Sequence, residues 1–230
     1  MLRRKPDKPL LEAARLIGRA QRLRDSGRFR EAADIYAELV RRFDDWPARR
    51  EEGLPPALSA LGYTLWKCGD LTEAVGAFDR AAVLQHERGR LDDAESAWES
   101  AARILGEARD FDGAAVRAQR AVEIAQELDN PVVISRARHV LGQSLLLQGR
   151  MDEAAAAVLA AVELELGDDA EGMWDRCKCY ELLARIAIER RNWPEARSWV
   201  GRLEQTMPPG RAGRTEYDDP IRDLIAQIPP

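Results

Sequence analysis

Residues 61–82 read LGYTLWKCGDLTEAVGAFDRAA, and residues 141–162 read LGQSLLLQGRMDEAAAAVLAAV. Counted from Leu61, the first stretch places Gly62, Leu65, Gly69, Leu71, Ala74, Phe78 and Ala81 in order. Counted from Leu141, the second places Gly142, Leu145, Gly149, Met151, Ala154, Val158 and Ala161 at the same steps. A frame that returns at a fixed interval decides an architecture before any single residue is weighed. The frame fits three more times, so the chain holds five copies. Between the two best copies stand Ala101, Ala102, Leu105, Arg109, Phe111, Ala114, Ala118 and Ala121. Toward the end come Leu183, Ala184, Ala187, Arg191, Trp193, Ala196, Val200 and Leu203. Near the start Ala20, Leu23, Gly27, Phe29, Ala32, Tyr36 and Leu39 match, with Arg19 in place of the apolar anchor.

Each copy reads as two antiparallel helices joined by a short turn. Gly27, Gly69 and Gly149 mark helix ends, where a residue without Cβ takes positive φ at no steric cost. Arg109 and Arg191 hold that place in the other two copies, which costs something but is tolerable if the turn closes differently. Asp70 with Glu73, and Asn192 with Glu195, have the spacing of N-cap pairs. Pro194 falls in a first helical turn, where its missing N–H costs nothing. Small residues at Gly62, Ala102, Gly142 and Ala184 let the first helix approach the second, and Ala74, Ala114, Ala154 and Ala196 face them. Leu71, Phe111, Met151 and Trp193 then fill the groove beside the crossing. One helix pair cannot bury its apolar faces alone, so neighbouring pairs must stack into a continuous core.

From about residue 10 to residue 206 this pattern resembles the tetratricopeptide repeat family. The resemblance implies an all-α, right-handed superhelical solenoid of about five antiparallel helix pairs. The first helix of each pair would line a concave surface that in this family usually binds a segment of another protein. The turn positions 27, 69, 109, 149 and 191 are spaced by 42, 40, 40 and 42, against about 34 for the family. The surplus predicts about one extra turn on each helix. Periods of this length resemble the longer-helix variants of kinesin light chains, of Pins-type polarity scaffolds and of bacterial regulators that bind signalling peptides.

The ends read differently from the array. Residues 1–9 are a flexible basic tail, 10–208 the solenoid, 209–216 a linker, and 217–230 a C-terminal capping helix. In that last helix Asp219 would be the N-cap and Pro220 the first helical residue, with Ile221, Leu224, Ile225 and Ile228 on one stripe. Such a stripe would cover the exposed apolar face of the fifth pair; alternatively it would dock into a neighbouring molecule or into the chain's own groove. Between the first and second pairs, RRFDDWPARREEGLPPA carries Pro47, Pro55 and Pro56, which predicts helices stopped and restarted around a longer loop.

The net charge of −5 over 230 residues argues against a nucleic-acid partner, because phosphate neutralisation needs a concentrated basic surface. The basic opening MLRRKPDKP is followed by no apolar run of signal-peptide or membrane-spanning length, so a cytoplasmic chain without a membrane partner is expected. Three cysteines, Cys68, Cys177 and Cys179, do not make a disulfide framework. Cys177 and Cys179 lie about 200° apart around a helix axis and cannot clasp one metal from one face. His86 and His139 stand in different copies without ligand partners at metal spacing, and no glycine-rich phosphate loop is present. No catalytic residue, metal or cofactor is predicted, and the chain does not read as an enzyme.

The non-repeating face of the first helices remains. Residues two positions beyond the packing anchor point away from the partner helix; they are Gln21, Tyr63, Arg103, Gln143 and Arg185. Steps of three and four along the same face add Arg24, Ser59, Trp66, Lys67, Glu99, Arg136, His139, Lys178 and Glu181. From these, Gln21, Arg24, Ser59, Tyr63, Trp66, Lys67, Arg103, Arg136, His139, Gln143 and Arg185 are the predicted partner-binding residues. Arginine forks suit carboxylates, glutamines suit a peptide backbone, and Tyr63 with Trp66 supply an aromatic wall. Glu99 with Arg103, and Glu181 with Arg185, are equally ordinary helix pairs, and Trp66 can equally pack between repeats. The lysine–asparagine clamp of chaperone-binding family members is missing, since Gln21 and Tyr63 occupy the asparagine positions. The chain therefore reads as a protein-interaction module or adaptor that holds a segment of another protein or a peptide. The alternatives are a sensor of a short signalling peptide or small molecule, and a structural homo-oligomer such as a homodimer.

Overall fold

The computed structural model describes residues 8–167, 169–207 and 223–229. Among them the chain is helical without a strand, and the long helices come in consecutive pairs. Taken in chain order, the first three pairs are α1 (Lys8–Asp25) followed by α2 (Phe29–Asp44), α3 (Pro47–Cys68) followed by α4 (Leu71–His86), and α5 (Leu91–Glu107) followed by α6 (Phe111–Leu128). The last two are α7 (Pro131–Leu147) with α8 (Met151–Val162), and α9 (Ala170–Glu189) with α10 (Trp193–Thr206). These are the five copies of the sequence frame. Residues 1–7 of the expected tail lie outside the described residues, and Lys8 and Pro9 belong to α1. The extra length is not shared evenly, for α3 has 22 residues and α8 only 12.

The chain divides into two compact units, residues 1–108 and 109–230. In the first, α2 packs between α1 and α3, and α4 between α3 and α5. In the second, α7 packs on α6, α8 and α9, and α10 packs on α9. The small residues of the frame sit where close crossing needs them: Gly62, Ala102, Gly142 and Ala184 are all buried. A Cβ on Gly62 would lie 2.8 Å from the Phe78 ring, and one on Gly142 would lie 2.3 Å from Val158. Glycine here is a packing requirement, because the opposing ring or branched side chain already occupies that space.

All five intra-pair turns use one left-handed residue. Gly27, Gly69 and Gly149 have φ of 76°, 84° and 77°, and Arg109 and Arg191 have φ of 62° and 56°. The sequence left open a different closure at the two arginines, or a cost if the turn were kept. The fold instead keeps the same turn and accepts the Cβ penalty, because the helix pair leaves only one way to reverse the chain in so few residues.

Two further expectations are corrected. The proline-rich stretch is not a loop: α3 runs unbroken through Pro55 and Pro56, and the link to α2 is only Asp45 and Trp46. Pro55 cannot donate to the carbonyl four residues back, that of Glu51. The Arg88 guanidinium donates to that carbonyl from outside the helix, which satisfies the acceptor the proline releases. Asp70 makes no capping bond to the start of α4; its carboxylate pairs with Arg30 of α2 instead. Asn192 does cap, accepting from the Glu195 N–H at 3.4 Å while its amide donates to the Glu195 carboxylate at 2.7 Å.

Beyond α10, residues 223–227 form a helical turn. Leu224 is 2% exposed and packs with Cys177, Ala184, Val200 and Leu203, while Ile225 is exposed. Arg197 of α10 donates to the Pro229 carbonyl. The proposed linker 209–216, and Asp219, Pro220 and Ile221, lie outside the described residues. Among the described residues no helix is long and apolar enough to cross a membrane.

Candidate partner-binding surface

In the first unit, the first helices α1, α3 and α5 carry the predicted residues on one side. Tyr63 and Trp66, three apart on α3, meet edge to face with ring centroids 6.1 Å apart, and Phe29 meets Tyr63 edge-on at 6.4 Å. Three cations lie on these rings. Lys67 Nζ is 4.2 Å from the Trp66 centroid and 5.6 Å from that of Tyr63. The Arg103 guanidinium sits 5.4 Å from the Trp66 ring, and the Arg24 guanidinium 5.9 Å from the Tyr63 ring. The Trp66 indole N–H donates to Glu107 Oε2 at 2.7 Å, so this tryptophan also ties α3 to the end of α5.

A ring face attracts a cation through its quadrupole without consuming the cation's N–H donors. The aromatic wall is consequently tiled with donors that remain able to bind acceptors. Arg103 is partly engaged by Glu99 at 3.7 Å and Arg24 by Asp25 at 3.6 Å. Both pairs are long and solvent-exposed, hence worth about 1 kcal/mol at most. Gln21 is exposed on α1, while Ser59 is half-buried on α3 and takes no part in the aromatic cluster.

In the second unit, His139 and Gln143 of α7 and Lys178, Glu181, Leu182 and Arg185 of α9 line a cavity of about 240 Å³. Arg185 donates to Glu181 at 2.5 Å, one turn away on the same helix. His139 is half-buried, and its imidazole is held down at about 4 by burial first and then by the neighbouring cations Lys178 and Arg185. It is neutral at pH 7. Arg136 stands beside this cavity, 3.4 Å from Glu171 and 3.7 Å from Asp175. Asp175 is buried and also receives Lys178 at 3.1 Å.

The structure thus gathers Arg24, Tyr63, Trp66, Lys67 and Arg103 into one cluster. It gathers His139, Gln143 and Arg185 around a second site, and leaves Ser59 and Arg136 to the side. Sequence reasoning missed Glu107, which fixes the Trp66 indole, and Asp175, which anchors Arg136 and Lys178. It also assigned Tyr36 to packing alone. The signal at Tyr36 was present, since the same frame position holds Phe78, Ala118, Val158 and Val200 in the other copies; only Tyr36 brings a hydroxyl. Cys177 and Cys179 are both buried, and burial pushes each thiol up to about 11. Among the described residues no three His, Cys, Asp or Glu side chains come together as a metal site.

The tetratricopeptide repeat model matches residues 17–85 and 100–171. No curated protein matches the chain. Among solved structures, BtubC (BKLC) from P. vanneervenii is 19% identical, with 86% of this chain and 82% of that one covered at a TM-score of 0.71. The apo form of RapI is 12% identical at a TM-score of 0.83, with 96% of this chain covering 60% of RapI. A Rap protein complexed with competence and sporulation factor is 15% identical at a TM-score of 0.61, with 95% of this chain and 58% of that one covered. At these identities the likeness is one of fold.

Proposed function

Because the chain belongs to the tetratricopeptide repeat family, whose fold generally serves as a protein-interaction scaffold, we propose that it is an adaptor that holds a peptide segment of a partner. The segment lies on the side of α1, α3 and α5 that carries the aromatic cluster. The observation that carries this reading is the cluster of Arg24, Lys67 and Arg103 laid on the rings of Tyr63 and Trp66. Packing alone needs none of those cations. A peptide offers carbonyls and carboxylates along its length, and a surface of oriented donors on rigid aromatic supports meets them at low entropic cost. No covalent chemistry is assigned to this surface.

A second reading, a sensor of a short peptide, is favoured by one observation: the Rap likeness includes a structure solved with competence and sporulation factor. The two readings share a surface and differ in whether binding changes the conformation of the chain. We also read the C-terminal turn as a cap on α9 and α10, a role supported by the burial of Leu224.

Quantitative affinity capture with the wild-type chain, Lys67→Glu and Arg103→Glu tests the proposal. Reversing either charge is expected to deplete the specifically retained proteins by tenfold or more. The same set retained in the same amounts would place the binding site elsewhere.

A further inference from the structure

The first unit contains a cavity of about 270 Å³ beside the aromatic cluster, and nothing above uses it. It opens between α1 and α3 with α2 as its floor. Ile17, Leu39, Ala57 and Ala60 give it apolar walls. Phe43 closes one end. Its ring lies where a Cβ of residue 53 would be, 2.2 Å away, so the glycine there lets the ring seat against α3, and Trp46 stacks on it at 6.3 Å.

At the floor stands Tyr36, 3% exposed. It lines the cavity; its hydroxyl makes no hydrogen bond among the described residues and remains open to solvent. An occupant that shut water out without pairing with this hydroxyl would cost about 1–3 kcal/mol, so the cavity favours one that pairs with it. Arg24 lines the same cavity and also sits over the Tyr63 ring, which joins the pocket to the donor-tiled surface. Glu52, at the other rim, is engaged by Arg49 at 2.8 Å.

Size and chemistry together select the occupant. The volume is below the roughly 300–1,000 Å³ of pockets for drug-sized ligands. At about 30 Å³ per water it has the room of about nine waters, enough for one large side chain. An aliphatic side chain would fill it and leave the Tyr36 hydroxyl unpaired. An aromatic one with a polar edge would satisfy both the walls and the hydroxyl. We propose that this cavity is the anchor pocket for one tryptophan or tyrosine side chain of the partner segment, whose indole N–H or phenol O–H bonds to Tyr36 Oη while its backbone continues past Arg24. This inference rests on the adaptor reading and adds the chemistry of the residue the partner must present.

The test is a titration of the full chain, labelled at alanine methyls, with N-acetyl-L-tryptophanamide and, separately, N-acetyl-L-alaninamide, followed by NMR. The tryptophan probe is expected to shift the Ala57 and Ala60 methyls saturably in the millimolar range, and the alanine probe to leave them in place. Tyr36→Phe is expected to weaken the probe about three- to tenfold with little change in the unfolding midpoint. Ala60→Phe, at a half-buried position that can accept it, is expected to abolish binding by filling the space. Absence of a saturable shift, equal shifts with both probes, or unchanged affinity in Tyr36→Phe would each overturn the inference. The adaptor reading fails separately: it falls if partner capture ignores Lys67→Glu and Arg103→Glu while the pocket still takes the probe.

Discussion

At the scale of single residues, the repeat frame and the functional face obey different rules. Gly62 and Gly142 recur because Phe78 and Val158 occupy the space a side chain would need, and this was readable from spacing alone. Arg109 and Arg191 were legible as costly positions, but the sequence does not show whether the backbone there yields. The backbone keeps its left-handed turn at φ of 62° and 56°, so both positions carry strain that glycine would relieve. Arg109→Gly and Arg191→Gly are each expected to stabilise the fold by about 1 kcal/mol, measurable as a shift of the denaturation midpoint at constant slope. His139 makes a second prediction. Its folded pKa of about 4 lies below its ordinary 6.5, so between those values the unfolded state binds more protons than the folded one. Stability is therefore full above about pH 6.5 and declines as pH falls toward 4. His139→Gln should flatten that decline in urea unfolding between pH 7 and pH 4.5, and an unaltered slope would mean that the imidazole is not the group responsible.

At the scale of elements, the proline-rich stretch shows what a one-dimensional reading cannot reach. Pro55 and Pro56 signal a break locally, and tertiary structure overrules them. Arg88, 37 positions from Glu51, supplies the donor that the proline removes. Nothing near Pro55 in sequence announces that partner. The interpretation predicts a coupling: Arg88→Ala should destabilise the chain by about 1 kcal/mol, and by much less once Pro55→Ala restores an N–H to the helix. A double-mutant cycle by chemical denaturation measures the difference. Additive effects would show that Arg88 does not compensate for the proline. The caps divide in the same way. Asn192 acts locally and was legible, whereas Asp70 is drawn off by Arg30, 40 positions away, a competition invisible in the spacing.

At the scale of the molecule, the helical-repeat fold was legible because the copies repeat one sequence frame, and repetition amplifies a weak signal. The candidate surface was legible in part. Stepping along one helix face found the residues of the aromatic cluster, since helical geometry fixes which side chains share a side. It could not find that Arg103 lies on the Trp66 ring, nor that Tyr36 stands under a cavity, because both depend on distances between helices. The division of the chain into units at residue 108 has no counterpart in the repeat frame, which runs through that point without interruption.

The central claim is that a peptide segment binds on the cation-tiled aromatic face. Selection of peptides from a random displayed library on the wild-type chain, followed by calorimetry with the enriched peptide, tests it most directly. The account predicts saturable binding that falls at least tenfold in Trp66→Ala and is unchanged in Val116→Ser, a substitution at an exposed position of α6. An enriched peptide that binds Trp66→Ala as tightly as the wild type, or a library from which nothing is enriched, would contradict it.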